Sequence, residues 1–266
     1  MNRDYFRNPA SRSPHSALPS VAELRDATQS RVPHLAQVEA IIFDAVGTLI
    51  RPRRPVAETY HAVGRRHGFE VSPDEIARRF PLALRRQDQI DAQSGDWRTS
   101  EPRERQRWHD IVAEVFSVAD PAGNLDALFA ELWEHFAAPE NWQVYEDVRP
   151  AWRGLIQRGR LLGVASNLDS RLDVLAAGLA PLNECQHWFI SSQLGIRKPG
   201  AGFFAQIERR LQLTAERLLL VGDDWDNDIE GARRRGWHTL LVDRRRHRED
   251  KESIQDLAAL LAMLPE

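Results

Sequence analysis

Five short apolar runs constrain this chain more than anything else in it. They are "AIIF" at 40–43, "LLGVA" at 161–165, "HWFI" at 187–190, "LLLV" at 218–221 and "TLLV" at 239–242. None alternates apolar with polar residues, so none suits a strand with one wet face; each suits a strand buried on both. Amphipathic stretches such as "PGAGFFAQIERRLQ" and "NDIEGARRRG" separate the later runs. Strand and helix in that rhythm predict an α/β fold, a parallel sheet with helices on both faces.

The interval 55–147 breaks the rhythm and reads as helices only: "PVAETYHAVGRRHG", "SPDEIARRFPLALRRQDQID", "EPRERQRWHDIVAEVF" and "NLDALFAELWEHFAA". Ser72, Pro73 and Glu75 open the second as a capping box with proline at the first helical position, and Pro81 is expected to kink or divide it. Roughly 90 residues of helix between two strands exceed a simple crossover, which uses a few linking residues around one helix. The interval is therefore expected to be an inserted helical subdomain that covers something. Residues 1–37 read as a flexible tail: "NPASRSPHSALPS" has too few apolar residues to pack alone, with a short helix expected over "VAELRDATQ". The expected core is then 38–54 together with 148–266.

Composition narrows the class. With 266 residues, 42% hydrophobic, 28% charged and a net charge of −3, this is soluble globular material. No apolar run approaches the roughly 20 residues of a membrane span, and the basic N-terminus has no apolar core behind it, so neither a span nor a secretory signal is expected. The single cysteine, Cys185, excludes an internal disulfide framework and a multi-cysteine metal site, and a reducing cytoplasm fits it best. The basic runs at 233–235 and 244–248 lack interleaved aromatics and read as solvated faces, so no nucleic-acid partner is expected. Oligomeric state stays open.

In an open parallel sheet, ligands bind beyond the carboxyl ends of the strands, where strand order reverses. The residues just past the apolar runs are Asp44, then Ser166 and Asn167, then Gly222, Asp223, Asp224, Asp226 and Asp228; Lys198 sits in "IRKPGAGFF". Carboxylates converging without a cation repel one another, and a hard divalent ion such as Mg²⁺ satisfies them with oxygen ligands. Lys198 and Ser166 suit a phosphoryl oxygen, and a carboxylate nucleophile forming an aspartyl-phosphate completes the chemistry. Lys198 gains weight from scarcity: only it and Lys251 occur in an arginine-rich chain, which marks a site needing a compact charge. Asp224 and Asp226 read better as a helix cap or solvent-facing groups, and Gly231 and Gly236 as packing and a helix C-cap.

At these residues the sequence resembles the haloacid dehalogenase-like hydrolase superfamily. Four motifs stand in order: "FDAVGTL" with Asp44, "VASN" with Ser166, "RKPG" with Lys198, and "VGDDWDNDIEGARRRG" with Asp223 and Asp228. The resemblance covers about residues 38–245 and implies a Rossmann-like parallel-sheet core with an inserted α-helical cap at 55–147. It implies that Asp44 is the nucleophile and that Ser166 and Lys198 are catalytic. By the same resemblance Ser166, Asn167 and Lys198 bind the phosphoryl group of a small phosphorylated substrate. Mg²⁺ is expected on Asp44, the Val46 carbonyl, Asp223 and Asp228, the last also orienting Lys198 or a metal-bound water.

One position departs from the resemblance. Phosphatases of the superfamily usually carry a second aspartate two residues after the nucleophile, as general acid and base; here that residue is Val46. Dehalogenases of 2-haloacids also lack it, but generally lack the metal-binding Gly-Asp that "VGDD" supplies. Phosphonate-cleaving members use a cap lysine, and residues 55–147 contain none. The expectation is a Mg²⁺-dependent phosphatase restricted to good leaving groups. The alternatives are an impaired relative that binds a phosphorylated ligand and, behind it, a dehalogenase. As substitutes for the lost acid, residue type alone offers His61, His67, His109, His135 and Glu58, and nothing in the spacing selects among them.

Overall fold

The computed structural model describes residues 35–119, 123–244 and 253–264. The expected tail lies outside these residues except for Leu35–Gln37, a short helical turn with Leu35 buried. The expected helix over "VAELRDATQ" also lies outside them.

All five apolar runs are strands: β1 (Ala40–Phe43), β4 (Leu161–Ser166), β5 (His187–Ile190), β6 (Leu218–Gly222) and β7 (His238–Val242). A two-residue strand the sequence did not signal, β8 (Ser253–Ile254), completes a six-stranded sheet in the order β5-β4-β1-β6-β7-β8. Every pairing in it is parallel, with Ala40 in register with Leu161 on one side and Leu218 on the other. The fold is therefore α/β and Rossmann-like. β1 is central, and the chain leaves it first toward β4 and β5, later toward β6 and β7. That reversal opens a crevice at the carboxyl end of β1.

The continuous apolar character of β1 follows from its position. Ile42 packs into a cluster with Phe189, Phe203, Phe204 and Trp237 on one face of the sheet. On the other face Phe43 meets Trp152, ring centroids 5.9 Å apart. Each such fully buried side chain is worth roughly 1.5–3 kcal/mol, so β1 is anchored from both sides.

Between β1 and β4 stand two further strands the sequence reading missed, β2 (Ile50–Pro52) and β3 (Trp142–Val144), paired antiparallel as a two-stranded ribbon. Three residues each are too short to show a period. The ribbon brackets four helices: α1 (Val56–Arg66), α2 (Pro73–Ser94), α3 (Glu101–Phe116) and α4 (Leu125–Ala137). These helices have their own apolar cluster, including Tyr60, Ile76, Ile111, Val115, Phe116 and Leu128. Ser72 caps α2 as expected, its hydroxyl accepting from the Glu75 amide with Pro73 at the first position. Pro81 does not divide α2, which is assigned as one helix through it. Helices α1 and α3 pack against α2 and hold it together despite the proline. Among the described residues no helix is long and apolar enough to cross a membrane.

Candidate active site

The chain leaves β1 through Asp44, whose amide donates to the Val221 carbonyl at 2.8 Å and so prolongs the β1–β6 ladder by one residue. It then folds back: the Gly47 amide donates to Ile50, while Leu49 and Ile50 donate to the Ala45 carbonyl. Gly47 is the residue that makes this possible. Its φ is +93°, and a Cβ there would stand 2.1 Å from Oδ2 of Asp223. Gly222 does the same for the other carboxylate, since a Cβ on it would lie 2.2 Å from Oδ2 of Asp228. Two glycines thus clear space for two acidic groups at the ends of β1 and β6.

Lys198 is the centre of the arrangement. The residue is 1% exposed and its ammonium donates all three protons, to Asp228 Oδ1 at 2.6 Å, Asp44 Oδ1 at 2.8 Å and the Ala165 carbonyl at 2.9 Å. Burial alone would lower its pKa, but Asp228 and Asp44 outweigh burial and raise it, so the group stays charged. Asn167 fixes the Lys198 backbone from both sides: its Oδ1 accepts from the Lys198 amide at 2.8 Å and its Nδ2 donates to the Lys198 carbonyl at 2.9 Å. The sequence reading gave Asn167 to the substrate. The geometry gives both ends of its carboxamide to Lys198, as a positioning residue.

Asp228 is buried, and its Oδ2 accepts from the Asp224 amide at 3.2 Å. Asp224 is the cap of the helical turn Trp225–Glu230, accepting from the amides of Asp226 and Asn227, as expected for it. Asp223 keeps an open edge toward solvent, and Thr48 approaches its other side at 3.5 Å. The carboxyl of Asp223 is pushed up to about 8 by desolvation, then by Asp44, Asp228 and Asp224. Desolvation also pushes Asp228 up, to about 7, with Lys198 opposing and Asp44 adding.

Asp44, Asp223 and Asp228 each offer an oxygen, all within 4.8 Å of one another. Three carboxylates and one ammonium leave an excess of negative charge, and two of the carboxylates resist ionising without a further cation. An all-oxygen donor set of that charge fits a hard divalent ion. Ser166, at the end of β4, is buried beside the cluster, and its hydroxyl has no hydrogen-bond partner among the described residues. The structure therefore brings Asp44, Ser166, Lys198, Asp223 and Asp228 to one crevice, with the Val46 side chain, 37% exposed, on its wall.

The crevice continues between sheet and helices as a cleft of about 1050 Å³. No histidine lines it among the described residues. His61 faces the Val71 carbonyl at 2.7 Å, His67 pairs with Glu131 at 2.7 Å, and His109 reaches Asp126 at 3.3 Å. His135 and Glu58 line a separate recess of about 410 Å³. None of the five insert residues considered as substitutes for the lost acid lines the cleft that holds Asp44. Of the helical insert's acids, Asp88 and Glu104 reach the cleft. Asp88 is bound by Arg107 at 2.7 Å and buried Glu104 by Thr99 at 2.6 Å.

Several residues at this site gave no sequence signal. Arg197, one residue before Lys198, donates to Asp91 of α2 at 2.7 Å, and Arg107 of α3 donates to the same oxygen at 2.7 Å. Arg171 is held by both oxygens of Asp169, at 2.7 and 2.8 Å, and stacks 3.6 Å above the Trp133 ring. Arg244, in a run read as a solvated face, instead donates to the Thr48 carbonyl and to Asp147, and lies over Tyr145 at 3.8 Å. Charge runs are read by composition, and composition does not show which member turns inward.

A profile of the haloacid dehalogenase-like hydrolases matches residues 38–236. The chain is 32% identical over 213 residues to haloacid dehalogenase-like hydrolase domain-containing protein 3 of Mus musculus, covering 79% of this chain and 83% of the relative. Its fold is similar to that of a HAD phosphatase from Thermococcus onnurineus, with a TM-score of 0.60 and 22% identity over 85% of this chain and 97% of the other. It is also similar to a defluorinating L-2-haloacid dehalogenase, with a TM-score of 0.66 and 21% identity over 85% and 95%.

Proposed function

The chain belongs to the haloacid dehalogenase-like hydrolases, and from that premise we propose that it is a Mg²⁺-dependent phosphatase acting on a small phosphorylated molecule with a good leaving group. The observation that carries the reading is Lys198 shared between Asp44 and Asp228, with an Asp223 oxygen within 4.8 Å of theirs. A dehalogenase needs no divalent cation, and this site is built with more negative charge than one lysine neutralises. Asp44, Asp223, Asp228 and the Val46 carbonyl would hold Mg²⁺, which neutralises phosphoryl charge when bound.

The chain's own groups account for the rest. The free Asp44 oxygen attacks phosphorus while the bond from phosphorus to the leaving oxygen breaks, and that oxygen departs with the electron pair. Lys198 holds Asp44 in line, and Ser166, whose hydroxyl is otherwise unengaged, donates to a phosphoryl oxygen. Water then attacks the aspartyl-phosphate, the bond from Asp44 to phosphorus breaks, and inorganic phosphate leaves with the water oxygen. With Val46 beside the nucleophile no side chain protonates the leaving oxygen, a loss of about 10²–10⁴ in rate unless that oxygen is a stable anion. Acetyl phosphate and an aryl phosphate should be cleaved with Mg²⁺ and not with chelator, and a simple alkyl phosphate should not. Unchanged turnover in Asp44→Asn would refute the mechanism.

A second reading has one observation in its favour, the apolar Val46 side chain on the wall of the crevice. A relative that binds a phosphorylated ligand without turning it over would be stabilised by that ligand and release no phosphate. Halide release from a 2-haloacid in chelator would instead identify a dehalogenase.

A further inference from the structure

The cleft has a second end, unlike the first. On the side of the helical insert it is walled by Tyr60, Phe80, Trp108, Phe129 and Phe136, whose rings belong to that insert's cluster. Phe80, Trp108 and Phe136 are only partly buried, so aromatic surface remains open to the cleft. Two polar groups interrupt this wall. Arg171 is nine-tenths buried; Asp169 takes its Nε and one terminal nitrogen, and its remaining nitrogen, Nη1, has no hydrogen-bond partner among the described residues. Its plane is fixed by Trp133 at 3.6 Å, with Trp108 at 5.5 Å. Tyr60 is 2% exposed, its ring packs against Phe80 and Phe136, and its hydroxyl has no partner among the described residues.

Both donors open to the cleft rather than being sealed in protein, and two held rigidly on one aromatic wall suit a bound acceptor. An aromatic-walled space with two donors suits a planar aromatic group bearing an oxygen substituent. The other end of the cleft gives an independent reason to expect such a group. Lacking an acid beside Asp44, the site needs a leaving oxygen that departs as an anion, and a phenolate is one.

We infer that the substrate is an aryl phosphate, its ring seated among Phe80, Trp108 and Phe136 and an oxygen on the far side of the ring accepting from Arg171 Nη1 and Tyr60 Oη. The inference rests on the phosphatase reading and names its substrate class. In the reaction Asp44 gains the phosphoryl group, the bond from phosphorus to the phenolic oxygen breaks, and the phenolate takes its proton from solvent.

The test uses the full chain with Mg²⁺. KM is measured for para-carboxyphenyl phosphate, phenyl phosphate and acetyl phosphate, and para-hydroxybenzoate is tested by tryptophan fluorescence and as a competitor. KM should rise in that order of substrates, by about tenfold at each step, the worth of one good buried hydrogen bond or ring contact. Arg171→Lys keeps the charge but loses the planar fork, and should raise KM for para-carboxyphenyl phosphate about tenfold more than for acetyl phosphate. Trp133→Leu, which removes the surface that fixes Arg171, should act in the same direction and serves if the first variant does not fold. Equal KM values for the three substrates, or no competition by para-hydroxybenzoate, would overturn the inference while leaving the phosphatase reading intact. If no phosphate is turned over, the phosphatase reading fails. Binding of para-hydroxybenzoate then still supports the aromatic subsite, and its absence removes that too.

Discussion

The two ends of the cleft are built on opposite terms. Lys198 spends every donor it has: three protons go to three oxygens within 2.9 Å, and Asn167 spends both ends of its amide on the same residue's backbone. Around Tyr60 and Arg171 donors are left over and the walls are aromatic. The first end is a machine for one chemical group and tolerates no change. The second is a surface for recognising something, and its unpaired donors are its information.

Injury to the two ends should therefore differ in kind. The largest effect is expected from Lys198→Met. It leaves Asp228, 1% exposed, and Asp44 facing each other with no cation between them. Breaking a buried pair from one side costs about 3–5 kcal/mol, so chemical denaturation should show a loss of that size, with turnover falling at least about 10²-fold. Mg²⁺ should recover part of the stability, because it replaces the missing charge. A variant as stable as the parent without metal would mean that the Lys198 charge is not what holds the two carboxylates together.

Val46→Asp sharpens the comparison from the other side. Restoring an acid two residues after Asp44 should raise cleavage of an alkyl phosphate relative to an aryl phosphate by about 10²-fold, toward the full worth of general acid catalysis. Selectivity set by the leaving group would then give way to selectivity set by the aromatic end alone. An unchanged ratio would show that Val46 does not limit the choice of leaving group.

Gly47→Ala tests the tolerance of the first end to a single methyl. At φ +93° an added Cβ is strained by roughly 1–2 kcal/mol, and at 2.1 Å from Asp223 it must displace that carboxylate. The expected result is a Mg²⁺ requirement raised about tenfold, read by titrating activity with the ion, and a smaller loss of thermal stability. The same methyl at Gly95, which has nothing within 4 Å of its Cβ, should cost strain alone and leave the Mg²⁺ titration where it was.

The contrast also explains what the sequence could and could not tell. Asp44, Ser166, Asp223 and the strands that carry them were legible because a parallel sheet puts the ends of its strands in one place, so order along the chain becomes position in space. Lys198 was legible through its rarity. Tyr60, Trp133 and Arg171 were not: a tyrosine on an amphipathic helix looks like core, and so it is, apart from a hydroxyl whose missing partner only coordinates reveal. Arg197 and Asp91 escaped for the same reason, since they meet across 106 positions of sequence. The ribbon β2–β3 was too short for any period. What pattern conveys is backbone and burial; what it omits is which long-range polar partners a fold supplies.

The smallest effect is one of pH, and its sign separates an acidic cluster designed for a metal from one merely buried. Without metal, the carboxyls of Asp223 and Asp228 are pushed up to about 8 and about 7, chiefly by desolvation. In the unfolded chain they titrate near 4. Below that pH both states hold the protons and the groups do not affect stability. As pH rises from about 4 to about 8 the unfolded chain releases protons that the folded chain retains, so stability falls with rising pH. Mg²⁺ reverses the trend, because it displaces the same protons and binds more tightly as they become fewer. The shift in Tm on adding Mg²⁺ should therefore grow between pH 5.5 and pH 8 and level off above about 8. Asp223→Asn should flatten both curves, since it removes the group with the largest displacement. A Tm shift that is the same across that range would mean that the ion does not bind at these carboxylates. The charge excess around Lys198 would then be a structural burden with no chemical use.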